Sequence, residues 1–222
     1  MDNTMQELDK LCQKEIIRPI DLELCRFLKE RHQNISTKVL RAACLVSHLY
    51  RQGHVCLSLG EYAGQSIFED ERVENPLKAP ALDQWRLALK ECPAVGEPGD
   101  YKPLILDDSD RLYMHKLWNY ERALGEELVK RSHQQDDDIN ESELRDGLNR
   151  LFGDSFQEPD WQKVAAATSI RNNLSIISGG PGTGKTSTVV RILALILEQY
   201  QDREKKLNIA LAAPTGKAAA RL

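Results

Sequence analysis

Several features that would assign a chain of 222 residues to a particular class are missing from this sequence. No apolar run reaches the roughly 18 residues that a membrane-spanning helix needs, which excludes a transmembrane segment. The polar, acidic start MDNTMQELDK has neither the basic nor the apolar region of a secretory signal, so we expect no export. The five cysteines are odd in number and form no Cys-x-x-Cys pair, which favours free thiols in a reducing cytoplasm over disulfides or a metal site.

Signatures of metal and nuclease chemistry are missing as well. The five histidines are scattered without the spacing of metal ligands. No group of carboxylates has a convincing spacing for a metal-dependent nuclease. We therefore assign no metal-centred catalysis to the histidines and no nuclease activity to this chain.

The charge that is present is unevenly distributed. Apolar content of 41% and charged content of 29% are typical of a soluble globular protein. The first 158 residues carry a formal charge of −9 and residues 159–222 one of +5, which together give the −4 of the chain. A basic carboxyl-terminal segment suits anionic ligands, whereas the acidic front suits protein contacts or a spacer. The negative charge of the front segment is equally consistent with an ordinary solvated surface.

The most informative stretch is a glycine-rich loop near the end of the chain. The sequence GGPGTGKT spans 179–186, after the apolar segment Leu174–Ser178 and before a helix-forming run. Its glycine, lysine and threonine positions match the phosphate-loop pattern of nucleotide hydrolases, in the strand-to-helix context that the pattern requires. An ordinary glycine-rich turn is the competing interpretation.

Each residue type in this loop suits a polyphosphate. Glycines leave the backbone N–H groups open to the phosphates, and the following helix directs its amino-terminal dipole at them. We expect Lys185 to reach the β- and γ-phosphates and Thr186 to bind Mg²⁺ through its hydroxyl, so these two are the predicted catalytic residues. Ser187 adds a hydroxyl donor or is simply solvated. The predicted nucleotide-binding residues of the loop are Gly179, Gly180, Pro181, Gly182, Thr183, Gly184, Lys185, Thr186 and Ser187.

A second candidate loop follows a second apolar segment. Residues 207–213 read as a strand, and Pro214, Thr215, Gly216 and Lys217 lead into a predicted helix over 218–221. A strand, helix and strand of these lengths form a right-handed unit with parallel strands, whose carboxyl ends lie together. The loop could offer N–H groups and a lysine charge to a second phosphate, or be a plain turn.

The remaining sequence predicts a mainly helical front domain. A first helix is expected to begin near Thr4 and to end at Pro19, and a second is expected to begin with Asp21 as its cap residue. The phosphate-loop helix is predicted to run to about residue 200. Other predicted helices span 37–52, 81–91, 118–131, 140–152 and 161–171. A short strand is predicted near 54–59 and a hairpin over 104–106 and 112–114. The fold class is α/β, with a mainly helical domain that has a small β element at 1–115, a helical linker region at 116–158 and the beginning of a parallel-sheet phosphate-loop domain at 159–222.

Three segments resemble a known family. The sequences WQKVA from 161, ISGGPGTGKT from 177 and LAAPTGKAAARL from 211 are similar to the opening motifs of superfamily 1 DNA helicases, and most of all to the RecD subunits (alpha chains) of exodeoxyribonuclease V, the RecBCD complex. The front part is similar too, through GHVCL from 53 and the stretch from Leu112 to Glu121. Most of the chain is covered, but specific motifs lie only in its last 60 or so residues.

The resemblance implies roles that the residues alone do not fix. It implies that Gln162 contacts adenine, which suits an amide that both donates and accepts, although a solvated helix residue is the alternative. It implies that Pro214, Thr215, Gly216 and Lys217 bind the backbone of single-stranded DNA. It further implies ATP and Mg²⁺ as cofactors, 5′ to 3′ translocation in double-strand break repair and recombination, RecB and RecC as partners, and a cytoplasmic location. It also implies that 1–115 is a subunit-contact domain and that 159–222 begins a helicase domain of RecA-like type.

This sequence also departs from the family pattern, because it stops inside the DNA motif. The acidic Mg²⁺ motif with its catalytic glutamate, the later motifs and the second motor domain are not in it, so we expect these 222 residues to bind nucleotide weakly and not to hydrolyse it. Alternatives are a stand-alone RecD-like helicase and a protein-interaction fragment without nucleotide function. A phosphate-loop ATPase of another kind does not account for residues 214–217.

Overall fold

A computed structural model describes residues 3–134, 138–153, 159–201, 207–213 and 216. The chain divides into two compact units, Met1–Leu124 and Gly125–Leu222. It contains helices together with a small sheet that includes a parallel pair, which confirms the predicted α/β class. None of the helices in the described ranges is both long and apolar enough to cross a membrane.

The first unit is built around one buried helix. Its helices are α1 (Asn3–Gln13), α2 (Pro19–Arg31), α3 (Thr37–Arg51), α4 (Leu59–Tyr62) and α5 (Leu82–Lys90). Ser36 caps α3 by accepting a hydrogen bond from the Val39 N–H, and nine residues of α3 are buried. Helices α1, α2 and α5 pack around α3, and the indole of Trp85 on α5 donates to the Lys38 carbonyl at 3.1 Å.

The start of α2 corrects two predictions. Pro19 does not end α1 but is the first residue of α2, a position where its missing N–H costs no hydrogen bond. Asp21 is not the cap residue. It lies in the first turn, where its carboxylate accepts from the Arg18 N–H at 2.9 Å. This carboxylate is fully buried and also accepts from Ser47 Oγ at 2.6 Å and Arg51 Nη2 at 2.7 Å.

Short strands close one side of this unit. They are β1 (Leu57–Ser58), β2 (Ser66–Ile67), β3 (Leu77–Lys78), β4 (Val95–Gly96), β5 (Leu104–Leu106) and β6 (Arg111–Met114). The larger sheet has the order β1-β6-β5-β4, and β2 pairs with β3. The predicted hairpin is confirmed: β5 and β6 are antiparallel, with Leu104 opposite Met114. Between β1 and α5 the chain forms α4 and the antiparallel β2–β3 pair.

An unusually short connection joins the parallel strands β4 and β5. Parallel neighbours normally need a crossover of a dozen or more residues, yet only residues 97–103 separate these two. The loop folds back so tightly that a β-carbon on Gly96 would lie 2.7 Å from Asp100 Cβ and 2.7 Å from Lys102 Cγ. Glycine is therefore required here by close approach of the chain to itself.

The second unit is helical in its described residues. A long helix, α6 (His115–Ser132), crosses the boundary between the units and has no buried residue. The others are α7 (Glu141–Phe152), α8 (Trp161–Arg171) and α9 (Lys185–Gln199), which pack on one another. Their shared core is formed by Leu144, Leu148, Ala166, Ile170, Ile192 and Leu195.

The predicted strands of this unit are not found. Residues 174–178 and 207–213 have no regular secondary structure. An isolated parallel strand cannot satisfy its N–H and C=O groups, because these bond only to neighbouring strands. The division of the chain at 115 and 158 remains a prediction. We note that α7, inside the predicted linker region, packs against α8 and α9.

Candidate nucleotide-binding site

The glycine-rich loop joins an irregular segment to the first turn of α9. Two of its glycines have left-handed backbone angles, Gly182 with φ of 79° and Gly184 with φ of 80°. Other residues rarely adopt this conformation, so the turn depends on glycine at both positions. Gly184 is the cap residue of α9, which places Lys185 as the first helical residue.

The start of α9 directs several N–H groups toward the loop. The first hydrogen bonds within this region run from the N–H and Oγ1 of Thr188 to the Gly184 carbonyl, at 2.9 and 3.0 Å. The N–H groups of Lys185, Thr186 and Ser187 precede that first bond and lie at the positive end of the helix dipole. This arrangement fits a phosphate group and could accept one without breaking a helical hydrogen bond.

Lys185 lies across the loop that precedes it. Its Nζ donates to the carbonyl oxygens of Gly179 and Gly180. Thr183 Oγ1 donates to the same Gly180 carbonyl at 3.0 Å, which tightens the turn around Pro181. The ammonium charge is thus held at the loop, among the residues predicted to contact phosphates.

The two hydroxyl groups after Lys185 differ in their bonding. Ser187 Oγ donates to the Gly184 carbonyl at 2.7 Å, so in this structure the hydroxyl bonds to its own helix. Thr186 is exposed at the second position of α9. If Mg²⁺ binds here, Thr186 is the residue that would hold it, and the ion would supply charge neutralisation to the phosphates.

Gln162 is brought to the loop by α8. Asp160 caps this helix, accepting from the N–H groups of Gln162 at 2.9 Å and Lys163 at 3.3 Å. The side chain of Gln162 then reaches 21 residues along the chain, and its Nε2 donates to the Thr183 carbonyl at 3.1 Å. A residue predicted to contact the base and the loop predicted to contact the phosphates are therefore in direct contact.

The predicted DNA-contacting loop cannot be placed in the same way. Pro214, Thr215 and Lys217 lie outside the described residues, as does the predicted helix over 218–221. Gly216 is described, and a β-carbon there would meet nothing within 4 Å. These four residues remain predictions.

Two residues beside the site were missed from the sequence. Arg191 Nη1 donates to Gln162 Oε1 at 3.4 Å, and its guanidinium lies 4.8 Å from the ring centre of Phe152. Helical spacing could have indicated Arg191, because positions 184, 188 and 191 share one face of a helix that begins at Lys185. Nothing in the sequence pattern indicates Phe152, which comes from α7.

Comparison with known proteins gives two domain matches. Residues 13–113 match the family described as RecBCD enzyme subunit RecD, N-terminal domain, and residues 162–222 match the AAA domain. The second match covers Gln162, the glycine-rich loop and α9. The chain therefore combines an AAA-type phosphate-loop region with a helical domain that precedes it.

Individual relatives carry both segments in the same order. Proteins named RecBCD enzyme subunit RecD are 36% identical in Mycolicibacterium smegmatis over 214 residues, 32% in Haemophilus influenzae over 234 residues and 34% in Mycobacterium tuberculosis over 189 residues. These alignments cover 94%, 97% and 83% of this chain and 34%, 36% and 29% of the relatives. The chain is thus similar to RecD subunits over most of its own length. It spans about a third of the length of the curated relatives it matches.

Proposed function

We propose that this chain supplies the nucleotide-binding loop and the preceding domain of an ATP-dependent DNA helicase subunit, working with RecB and RecC in double-strand break repair and recombination. The observation that carries the proposal is the contact of Gln162 with the phosphate loop, at 3.1 Å from its Nε2 to the Thr183 carbonyl. This contact joins a group able to read a base to a loop able to bind phosphates. The proposed cofactors are ATP and Mg²⁺, and the proposed location is the cytoplasm.

The residues of the site would act as follows. The N–H groups at the start of α9 and the Lys185 ammonium would bind the β- and γ-phosphates, and Thr186 would hold Mg²⁺. Gln162 would bind adenine, and Pro214, Thr215, Gly216 and Lys217 would contact the backbone of single-stranded DNA during 5′ to 3′ movement. We propose that exonuclease action of the complex resides on another subunit.

Binding without turnover is the expected behaviour of these 222 residues. Phosphoryl transfer needs a positioned water and charge stabilisation from the acidic and later motifs of the family, which are not among them. We propose that the chain binds Mg-ATP weakly and does not hydrolyse it. Steady-state hydrolysis by the chain that disappears in Lys185→Ala would contradict this part of the proposal.

A titration with a fluorescent ATP analogue and Mg²⁺ tests nucleotide binding. We expect saturable binding by the unaltered chain and a loss of at least about tenfold in affinity for Lys185→Ala, which removes a charge-assisted contact worth roughly 1.5–3 kcal/mol. Lys130→Ala is the matched control, because Lys130 lies on α6 and pairs only loosely with Glu127 at 4.0 Å. Absence of binding at millimolar nucleotide would favour a protein-interaction role instead.

The partner proposal has its own test. The domain matched over 13–113 belongs to a family named for a RecBCD subunit, which supports a contact with the other subunits. We expect the tagged chain to capture purified RecC, or RecB with RecC, from the same organism. Failure to capture either subunit would favour the stand-alone RecD-like helicase. A proteolysis pattern with fragments ending near 115 and 158 would support the proposed domain limits.

A further inference from the structure

The side-chain amide of Gln162 is held from both ends. Its Nε2 donates to the Thr183 carbonyl at 3.1 Å, and its Oε1 accepts from Arg191 Nη1 at 3.4 Å. A guanidinium can only donate and a carbonyl oxygen can only accept. Both neighbours therefore require the same orientation of the amide, with oxygen toward Arg191 and nitrogen toward the loop.

Arg191 is itself positioned by another helix. Its guanidinium lies over the ring of Phe152, 4.8 Å from the ring centre, in the geometry of a cation–π contact. In the described part of the chain, Arg191 takes part in none of the salt bridges, and its side chain is half-buried. Its donors are thus not committed to a carboxylate, and one of them is directed at Gln162.

The fixed orientation leaves Gln162 with a defined capacity for a ligand. One N–H of its amide and one lone pair of its oxygen are used by Thr183 and Arg191, so one donor and one acceptor remain. Adenine presents the complementary pair, an acceptor at N7 and a donor at N6. Guanine presents two acceptors, N7 and O6, and would place its O6 against the Gln162 oxygen.

An amide free to turn would not make this distinction. With Arg191 absent, the Gln162 oxygen loses its donor, and the amide can rotate so that its two N–H groups face the two acceptors of guanine. Only the hydrogen bond to the Thr183 carbonyl would then oppose the rotation. Selection of the base would depend on Arg191 although Arg191 need not touch the base.

We propose that Arg191 is a positioning residue that sets adenine over guanine specificity by holding the Gln162 amide, with Phe152 holding Arg191. The proposal rests on the nucleotide-binding function proposed above. It concerns the ratio of affinities for two bases, whereas that function concerns binding of the triphosphate itself.

Competition binding experiments distinguish an effect on base selectivity from an effect on triphosphate binding. The whole chain, its Arg191→Met and Arg191→Lys variants and the control Arg171→Met are titrated with Mg²⁺ complexes of ATP, GTP and inorganic tripolyphosphate. Arg171 is a suitable control because it pairs with Glu141 at the far end of α8. A fourth variant, Phe152→Leu, keeps an apolar side chain but removes the ring.

We expect Arg191→Met to lower the ATP-to-GTP affinity ratio by about five- to tenfold, the lower part of the range for one bidentate base contact, while affinity for tripolyphosphate is unchanged. Arg191→Lys, which keeps the charge and one donor, should restore part of the ratio. Phe152→Leu should shift the ratio in the same direction as Arg191→Met but less. Arg171→Met should leave the ratio unchanged.

Two results would overturn the inference alone. One is an unchanged ATP-to-GTP ratio in a folded Arg191→Met chain that still binds ATP. The other is an equal loss of affinity for ATP, GTP and tripolyphosphate that Arg191→Lys restores, since that would show an effect of charge alone. Failure of the unaltered chain to bind either triphosphate or tripolyphosphate would overturn the proposed function and this inference together.

Discussion

The amide nitrogen of Gln162 lies 2.7 Å from the point where a β-carbon on Gly184 would stand, and Ser187 Oγ lies 3.2 Å from it. The glutamine therefore occupies the space that glycine leaves open at the cap of α9. Gly184 also has a φ of 80°, so two separate physical reasons require glycine there.

Replacing Gly184 with alanine should lower the free energy of unfolding by more than the backbone strain alone would. The left-handed backbone alone accounts for about 1 kcal/mol of unfolding free energy, and displacement of Gln162 should add about 1 kcal/mol or more. Nucleotide binding should weaken as well. Gly64→Ala is the control, because Gly64 has a φ of 72° but nothing within 4 Å of a β-carbon placed there. Equal losses in urea unfolding for both variants would contradict the predicted clash.

At Gly147, an alanine substitution should have opposite effects on packing and on helix propensity. Gly147→Ala would place a β-carbon 2.6 Å from Leu195 Cδ2 and 3.0 Å from Glu198 Oε2, where α7 meets α9. We expect a loss of about 1–2 kcal/mol despite the better helix propensity of alanine. Gly125→Ala, on α6 with nothing within 4 Å, should instead stabilise by about 0.5–1 kcal/mol. Thermal unfolding of the two variants should shift in opposite directions.

The buried carboxylate of Asp21 should be the most sensitive polar group in the first unit. Asp21→Asn leaves Arg51 without its charged partner beside the core, and we expect a loss of about 2–4 kcal/mol in unfolding free energy. Asp9→Asn removes an exposed partner of Arg26 and should cost less than about 1 kcal/mol. Denaturant unfolding of both variants measures the difference. Similar losses of unfolding free energy in the two variants would mean that burial of Asp21 does not make its substitution more destabilising.

His48 should make stability depend on pH. Burial, and next the positive charge of Arg51, lower the pKa of His48 below its ordinary value of 6.5, although Asp21 acts in the opposite direction. The unfolded chain then binds the proton more tightly, so this contribution is present above pH 6.5 and is lost as the pH falls through the lower, folded-state pKa. His48→Gln should show a shallower decline of unfolding free energy over that range. An unchanged slope would refute the assignment to His48.

Local signals in the sequence predicted most of the helices of both units. Asn140 and Asp160 cap α7 and α8 at the predicted starts of these helices, because a side-chain oxygen at that position satisfies free N–H groups wherever the helix packs. The hairpin of β5 and β6 was equally predictable. The prediction that Pro19 ends α1 was wrong because proline is common both after helices and at their first position. The hydrogen bond from the Arg18 N–H to Asp21 shows that Pro19 begins α2.

The candidate site was predictable where it depends on neighbours in sequence. The left-handed angles of Gly182 and Gly184 follow from the motif itself. The contact of Arg191 with Phe152 joins residues 39 positions apart in different helices, and no periodicity encodes such a pairing. The strands predicted over 174–178 and 207–213 failed for the opposite reason. Their apolar composition is local, whereas a strand requires hydrogen-bonding neighbours that composition does not supply.

The tight loop between β4 and β5 restricts how the lead-in domain can vary in length. Each residue added or removed between 97 and 103 would shift Asp100 and Lys102 relative to Gly96, where a β-carbon would lie only 2.7 Å from each of them. Insertions and deletions that accumulate among related chains should therefore avoid this segment. A tag or label placed within it would be incompatible with the parallel pairing of Val95 with Leu104.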